Sequence, residues 1–359
     1  RSGDTAPHPV RVALCDATVI AEAAERYEGE GARRPWLPAL PERIPLASVR
    51  QAGLVVLGTA DEPEQQRQRA VVWDEPALAV VGGPRSGRTG VLRTIAAQTE
   101  TLPVPRDPEG AWDALTALEH VPAGTTVLVD DLDAMLAALP GEYGAVAAES
   151  LEQALRGART RGIRIALTTQ RVGGGVGRIL ELVPRRLVLG TATRADHVAA
   201  GGDASDHLPD LPPGRGRLGR TLVQVADAGA QDLSVVSDPP PVWQPGRRPA
   251  AVVAPASARL RRLTAEWERW GIPVTPVDGQ ASLTRGGVVI GPPDAWLAQW
   301  RLLADARADA DLVIDAACAA EYRALVGSRG LPPFVVPGAG RGWWHVPDRP
   351  VRRVLMERD

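Results

Sequence analysis

Residues 80–94 have the residue types and the spacing of a phosphate-binding loop. The stretch reads VVGGPRSGRTGVLRT, and Gly82, Gly87 and Thr89 fall on the pattern G-x-x-x-x-G-K-[ST]. In such a loop several backbone N–H groups converge on a phosphate at a helix N-terminus, where the helix dipole adds positive potential. Arg88 stands where the pattern has lysine, so the motif alone does not decide whether the loop supports catalysis.

The motif predicts a set of ligand contacts. Glycines let the backbone turn tightly and approach the ligand, and the stretch has an apolar run before the loop and a helical pattern after it, as the motif requires. We expect the hydroxyl of Thr89 to bind Mg²⁺. The residues predicted to bind the nucleotide phosphates are Gly82, Gly83, Pro84, Arg85, Ser86, Gly87, Arg88, Thr89 and Gly90.

Two further stretches place polar residues at the ends of apolar runs. TTVLVDDLDAM reaches Asp130 after three apolar residues, where a carboxylate would hold Mg²⁺. Asp131 follows at the position where many P-loop ATPases carry a glutamate that orients the attacking water. In IALTTQR, Gln170 ends a predicted strand, where it is in place to sense the γ-phosphate. Asp131 and Gln170 are therefore the predicted catalytic residues.

Apolar runs alternate with helical patterns through the middle of the chain. The pattern predicts strands over 53–60, 77–83, 125–131, 163–170 and 185–192, and helices over 89–99 and 144–162. The second of these helices ends at Gly162. Short strands separated by helices predict an α/β fold with a mainly parallel sheet and helices on both faces. Together with the loop motif, this is a P-loop NTPase fold of the RecA-like type.

The same alternation continues after the prolines at 239–241. It predicts strands over 250–255, 272–277, 286–291 and 311–315, and helices over 258–271 and 294–310. Five segments of this part follow the order of five segments in the first part, which predicts a truncated, degenerate repeat. Trp296 and Trp300 lie four residues apart in the second helix, a spacing that predicts a shared core-facing surface.

The predicted organisation has three parts. Residues 1–50 hold a strand (10–15), a helix (18–27) and a proline-rich linker; residues 51–237 form a degenerate ATPase module; residues 238–359 form a truncated pseudo-ATPase module. Because the chain begins with Arg1, we expect it to be a piece of a longer protein, and a membrane anchor would lie outside it.

Charge and composition restrict the partners. The 41 basic residues are all arginine and face 43 acidic ones, for a net charge of -2. This balance does not favour nucleic acid, whose polyanionic backbone attracts basic surfaces.

Cys15 and Cys318 are far apart and outside any metal-binding pattern, which fits a reducing cytoplasm. No apolar run is long enough to span a membrane.

Three stretches together resemble the FtsK/SpoIIIE family of motor ATPases: ALAVVGGPRSGRTGVLRTIA, TTVLVDDLDAM and RGIRIALTTQR. Within that family the resemblance is greatest to the EccC/EssC ATPases of type VII secretion, whose modules are arranged in tandem. Their linkers resemble WLPALPERIPLASV, and their module ends resemble LPPGRGRLGRTLVQVA. The resemblance covers residues 37–226 well and 250–359 weakly.

The resemblance implies an ATPase that uses ATP and Mg²⁺, is often hexameric, and moves DNA or exports small helical proteins. Its implied partners are other ATPase modules of the same or neighbouring chains, and a small helical secreted protein that an apolar groove of the tryptophan-rich second part would hold. Arg185 and Arg186 are candidates for an arginine finger. The implied location is the cytoplasm, at the inner face of the membrane, as part of a larger protein.

Departures from the family pattern favour weak or absent hydrolysis. Guanidinium is larger than ammonium and prefers bidentate contacts, so Arg88 is not a conservative replacement for lysine. Asp131 is one methylene shorter than glutamate. The second part has no glycine cradle and no Mg²⁺ ligands. We therefore expect a nucleotide-binding region that regulates a type VII-like secretion machine or recognises its substrate; the alternatives are an active ATP-driven DNA translocase and a non-catalytic interaction module.

Overall fold

The apolar runs of the first part form a ten-stranded sheet. A computed structural model describes residues 15–26, 37–338 and 340–357. The strands in this part are β1 (Ile44–Pro45), β2 (Val55–Glu62), β3 (Arg67–Trp73), β4 (Ala77–Val81), β5 (Thr101–Pro103), β6 (Thr126–Val129), β7 (Arg164–Thr169), β8 (Arg186–Leu189), β9 (Arg215–Leu218) and β10 (Thr221–Asp227). The helices are α1 (Ala17–Arg26), α2 (Leu46–Val49), α3 (Arg88–Ala96), α4 (Pro108–Thr116), α5 (Leu132–Ala137), α6 (Gly141–Arg161), α7 (Gly174–Glu181) and α8 (Arg194–Ala199).

The strand before the phosphate loop lies inside a parallel core of five strands. Their order is β8-β4-β7-β6-β5, so β7 separates the loop strand β4 from β6, which precedes Asp130. The carboxyl ends of parallel strands meet at one edge of a sheet, where α/β proteins bind ligands. This arrangement confirms the predicted α/β fold of the P-loop NTPase type.

Helices cover both faces of this core. On one face Leu92 and Ile95 of α3 pack against Leu57 and Trp73 of the antiparallel strands. On the other face α4 to α7 bury a second apolar cluster against the parallel strands. The longest helix, α6, ends at Gly162, whose φ of 66° is left-handed, as the sequence predicted.

Four antiparallel strands extend the parallel core, and the apolar pattern does not predict all of them. β2 and β3 form one hairpin, β9 and β10 another, and β9 pairs with β8. β3 has no apolar run over its full length, because its first half carries the exposed Arg67 and Arg69 and only its second half buries Val71 and Trp73. The predicted strand 10–15 lies outside the described residues except for Cys15, and the predicted helix 18–27 corresponds to α1.

The second part forms a six-stranded sheet of its own. Its strands are β11 (Ala250–Val253), β12 (Val274–Pro276), β13 (Val288–Gly291), β14 (Asp311–Asp315), β15 (Arg341–His345) and β16 (Arg352–Leu355). Its helices are α9 (Ala258–Arg269), α10 (Pro293–Ala298), α11 (Trp300–Asp309) and α12 (Tyr322–Val326). The order β12-β13-β11-β14-β15-β16 is that of β5-β6-β4-β8-β9-β10 once β7 is left out, with the same parallel and antiparallel pairings.

The single helix predicted over 294–310 is wrong. Gln299 leaves the helical region, with φ -96° and ψ 57°, and divides the segment into α10 and α11. The break rotates Trp300 away from the buried surface, so that Trp296 is fully buried and Trp300 is 65% exposed. Trp296 is held by a hydrogen bond of 3.0 Å from its Nε1 to the carbonyl of Val252.

The two parts contact each other through α4 and α6. The buried carboxylate of Glu109 accepts hydrogen bonds from the backbone N–H of Val336 (2.8 Å) and from Arg341 (2.7 Å). Phe334 of the second part packs into the apolar cluster of the first, and Arg353 pairs with Asp113 of α4. Within the described part of the chain, no helix combines the length and apolar character needed to cross a membrane.

Acidification is expected to destabilise the second sheet through His345. Burial lowers the pKa of His345 from 6.5 to about 4, and its Nε2 lies 2.8 Å from the Tyr322 hydroxyl. The unfolded chain therefore binds this proton near pH 6.5 and the folded chain only near pH 4. Between these values the free energy of unfolding should fall with decreasing pH by up to about 1.4 kcal/mol per pH unit, and above them His345 has no effect.

Thermal unfolding of the wild type and of His345→Gln, measured across this pH window, checks the prediction. The wild type should lose more stability on acidification than the variant does. Equal losses in the two proteins would contradict it.

Candidate nucleotide site

The phosphate loop connects β4 to α3 at the carboxyl edge of the parallel core. Gly83 donates its N–H to the carbonyl of Gly190 after β8 (2.8 Å), and Gly82 donates to the carbonyl of Thr169 at the end of β7 (3.3 Å). The loop is thus fixed between the ends of two neighbouring strands. The N–H groups of the first turn of α3, which begins at Arg88, have no intrahelical acceptor and remain available for an anion.

Two of the predicted glycines, Gly82 and Gly87, are required by space, and Gly87 is required by backbone conformation as well. Gly87 has φ 101°, and a Cβ there would lie 2.4 Å from the backbone nitrogen of Gly214. A Cβ on Gly82 would lie 2.5 Å from the hydroxyl of Ser86. The Gly214 N–H donates to the carbonyl of Ser86 (2.8 Å), so the LPPG turn of residues 211–214 rests on the loop. Gly90 has open space around its Cα, so the loop does not require glycine there.

The side chain of Arg88 lies folded across the loop. One guanidinium nitrogen donates to the carbonyls of Gly82 and Gly83, and the other donates to Asp131 Oδ1 (2.5 Å). Only 12% of the Arg88 side chain is exposed, and its Nε is buried without a partner among the described residues. The charge that the motif offers to phosphate is therefore bound to the protein's own oxygens.

Asp130 comes together with Thr89, as predicted. The Thr89 hydroxyl donates to Asp130 Oδ2 (3.0 Å), and the Thr168 hydroxyl donates to Oδ1 (2.8 Å). Arg106, from the loop after β5, forms an ion pair with Oδ2. The sequence does not predict either residue as part of the site: Thr168 lies within IALTTQR, where Gln170 is the predicted residue, and Arg106 lies in none of the motif stretches. The adjacency of β5, β6 and β7 in the sheet is what brings them to Asp130.

The sensor position differs from the prediction in one respect. The Gln170 side chain is exposed, and its backbone N–H donates to Asp133 Oδ1 (3.1 Å). Thr168, two residues earlier and fully buried, is the residue of this strand that contacts the acidic pair. Its hydroxyl also accepts the N–H of Asp131 (2.8 Å). Asp131 itself has a left-handed backbone, with φ 53° and ψ 52°.

The residues at this edge fit Mg²⁺ poorly as they are arranged. A hydroxyl and a carboxylate are oxygen ligands that Mg²⁺ accepts. Both oxygens of Asp130 nevertheless already accept hydrogen bonds, and Arg106 balances the charge of this carboxylate. Asp131 is likewise paired, with Arg88. The predicted Mg²⁺ site therefore stays a prediction.

A cleft adjoins the loop on the side of α3. Its volume is about 570 Å³, within the range of small-molecule sites. It is bounded by Gly87, Gly90 and Arg93 of the loop and α3, by the LPPG turn, by the segment 224–229 at the end of β10, and by Glu42 and Arg43 of the linker. A cavity of similar size, about 550 Å³, lies around Arg185 and Arg186 and shares no residue with the loop.

The two candidate arginine fingers are engaged within the chain. Arg185 pairs with Glu75, and Arg186 donates to the carbonyls of Leu180 (2.7 Å) and Val183 (3.3 Å). Both precede or begin β8, at the edge of the sheet opposite the phosphate loop.

The second sheet has no phosphate cradle at the corresponding place. Only residues 254–257 connect β11 to α9, and none is glycine. The Ser257 hydroxyl caps the helix by accepting the N–H of Leu260 (3.1 Å). Arg259 in the first turn pairs with Asp315, a buried carboxylate at the end of β14. An internal carboxylate thus occupies this helix start.

Solved structures similar to this chain include those that the sequence resemblance named. ATPases 2 and 3 of Thermomonospora curvata EccC, in complex with a signal sequence peptide, match with 14% identity and a TM-score of 0.48, over 89% of this chain and 99% of that chain. ATPases 2 and 3 of EssC from Geobacillus thermodenitrificans match with 12% identity and a TM-score of 0.45, over 89% and 99%. The cytoplasmic domain of Thermomonospora curvata EccC matches with 18% identity and a TM-score of 0.44, over 60% of this chain and 31% of that chain.

No protein-family model matches the chain. No curated protein matches it. Because the structural matches share under 20% identity and have TM-scores below 0.5, the function must be argued from the residues of this chain.

Proposed function

We propose that residues 51–237 form a nucleotide-binding module with weak or absent hydrolysis, in a protein of the type VII secretion kind. The observation that carries this proposal is the position of Arg88. Its guanidinium is bound by the carbonyls of its own loop and by Asp131, the residue that would have to orient an attacking water. A basic group engaged in this way is not directed at a transferring phosphoryl group, which favours weak or absent hydrolysis.

The phosphate loop suits the polyphosphate of ATP, and the cleft beside it suits the nucleoside. The N–H groups at the start of α3 suit a polyphosphate, and the adjoining cleft of about 570 Å³ suits a nucleoside. Arg93 and Arg43 provide positive charge along the cleft, although Arg43 pairs with Asp227 (3.1 Å). We therefore propose ATP as the ligand, with its phosphates held by residues 82–90.

Weak hydrolysis follows from the acidic residues. Water attack on a γ-phosphate needs a residue that positions the nucleophile, and charge that stabilises the leaving oxygen. Asp131 is paired with Arg88, and the Gln170 side chain is exposed, whereas the buried Thr168 contacts the acidic pair. We propose that the pairing of Asp131 with Arg88 keeps this carboxylate from orienting the attacking water.

Residues 238–359 are a truncated repeat of the first module in this proposal, and residues 1–50 are a lead-in segment with a linker. The strand order shared by six strands supports the repeat, and the missing counterparts of β1, β2, β3 and β7 account for its truncation. The absence of glycine from residues 254–257 and the pairing of Arg259 with Asp315 support a module without nucleotide.

The second module serves as the contact surface for a partner. Leu297 and Trp300 are exposed on neighbouring turns, and the guanidinium of Arg301 lies 5.1 Å from the ring centre of Trp300. Exposed apolar side chains of this size often mark interaction sites. We assign this surface to another ATPase module or to a small helical secreted protein, in the cytoplasm at the inner face of a membrane that other parts of the protein reach.

Steady-state ATP turnover by the full chain tests the proposal. The expected rate lies at least about 100-fold below the 1 s⁻¹ that marks the low end of ordinary enzymes. Asp130→Asn, which preserves the shape of the side chain, should leave this residual rate unchanged. Turnover at ordinary enzymatic rates that disappears in Asp130→Asn would show a working motor and overturn the proposal.

A further inference from the structure

Arg106 is a charged side chain at the site that the phosphate-loop motif does not include. It lies between β5 and α4, 24 positions before Asp130, and pairs with Asp130 Oδ2 across the sheet edge. The other acidic residue, Asp131, has its own arginine in Arg88. The chain therefore supplies one guanidinium for each carboxylate of the site.

The backbone that carries Arg106 is held in place from both sides. Asp107 caps α4 by accepting the N–H of Gly110 (2.7 Å), and it also accepts the hydroxyl of Ser237 (2.7 Å). Burial alone would raise the pKa of Asp107, but these hydrogen bonds outweigh it and keep the pKa below its usual value. One turn further on, Glu109 is bonded to the second module. The position of Arg106 beside Asp130 follows from this fixed segment.

The carboxylate of Asp130 has little capacity left for a metal ion. Only 9% of this residue is exposed, and its two oxygens accept from Thr89, Thr168 and Arg106. In P-loop ATPases Mg²⁺ is held by the loop Ser/Thr and an acidic residue, and it offsets charge on the phosphates. Here both carboxylates are paired with arginines, so Arg106 holds a positive charge beside Asp130, where the ion would lie.

We infer that Arg106 takes the place of the divalent cation, so that the phosphate loop binds a nucleoside polyphosphate without Mg²⁺. The inference rests on the proposed nucleotide binding and specifies the form in which the ligand binds. A guanidinium has five N–H donors in a planar fork. Arg106 can therefore keep one edge on Asp130 and direct other donors to a phosphate, which is the bidentate contact that arginine favours.

Binding of ATP to the full chain, measured by titration calorimetry with Mg²⁺ and with EDTA, tests this inference. The wild type should bind with dissociation constants that agree within about threefold in the two conditions. Arg106→Gln should bind about tenfold more weakly in EDTA, because a charge-assisted contact is lost. Mg²⁺ should restore most of that loss by taking the vacated place on Asp130.

Arg178→Gln is the matched control, because Arg178 is exposed on α7 and lies outside the acidic pair's contacts. It should leave binding unchanged in both conditions.

Electron paramagnetic resonance of Mn²⁺ gives a second readout: without nucleotide, Arg106→Gln should bind the ion at least about tenfold more tightly than the wild type.

The outcomes separate this inference from the proposed function. Wild-type binding that requires Mg²⁺, or an Arg106→Gln variant that binds like the wild type in EDTA, overturns the inference and leaves the nucleotide-binding module standing. No ATP binding under either condition overturns both.

Discussion

Gly87→Ala is expected to lower the affinity for ATP by about 100-fold, because displacing the loop loses N–H hydrogen bonds to the charged phosphates, worth about 1.5–3 kcal/mol each. Gly87 has φ 101°, a conformation that costs a non-glycine residue about 1–2 kcal/mol. Its new Cβ would also lie 2.4 Å from the backbone nitrogen of Gly214. Since the neighbour is backbone, the LPPG turn must move and the hydrogen bond from Gly214 to Ser86 must break.

Gly124→Ala separates the effect of a positive φ from the effect of the steric contact with the LPPG turn. Gly124 also has a positive φ, 89°, but a Cβ added there would meet no heavy atom within 4 Å among the described residues. This variant should lose about 1–2 kcal/mol of stability and bind ATP normally. Calorimetric binding and thermal unfolding of both variants provide the measurement. If Gly87→Ala binds ATP as the wild type does, the contact between the loop and the LPPG turn has no part in the site.

Phe334→Ala is expected to lower the free energy of unfolding by about 3–5 kcal/mol, the usual cost of truncating a buried aromatic residue. Phe334 is the only phenylalanine in the chain and is 4% exposed. It belongs to the second module but packs into the core of the first, with its ring 5.0 Å from that of Tyr143. Tyr143 in turn packs edge-on against Trp112.

The loss should appear together with an uncoupling of the two modules. Denaturant unfolding followed by tryptophan fluorescence should change from one transition to two, because Phe334 joins the cores. Val336→Ala is the control, since its side chain is 37% exposed and its backbone N–H still bonds Glu109. A loss below about 1 kcal/mol for Phe334→Ala, with a single transition, would contradict a shared core.

The sequence predicts those features of the fold and site that depend on local patterns. The phosphate loop between a strand and a helix is a continuous motif, and Asp130 follows an apolar run directly. The end of α6 at Gly162 is predictable because a left-handed residue is needed there. The order of strands in the second sheet also agrees with the segment order found in the sequence.

Features that depend on the meeting of distant segments are not predictable in the same way. Arg106 belongs to no motif, and it reaches Asp130 only because β5 and β6 are neighbours in the sheet. The family pattern ends in T-Q-R and so points to Gln170 rather than to Thr168. Side chains two residues apart in a strand point to the same face, so Thr168 and Gln170 would share a face if β7 continued. β7 ends at Thr169, however, and only the buried Thr168 contacts Asp130. The break at Gln299 leaves no mark in the apolar pattern of residues 294–310.

The central claim is that this chain holds ATP and hydrolyses it slowly or not at all. The most direct measurement is to incubate the full chain with ATP, remove free nucleotide by rapid gel filtration, denature the protein and identify the retained nucleotide by chromatography. The account predicts ATP, at up to one molecule per chain, with little ADP. Retained ADP in place of ATP after only about ten seconds of incubation, as ordinary enzymatic turnover would give, would contradict it, and so would a protein that retains no nucleotide.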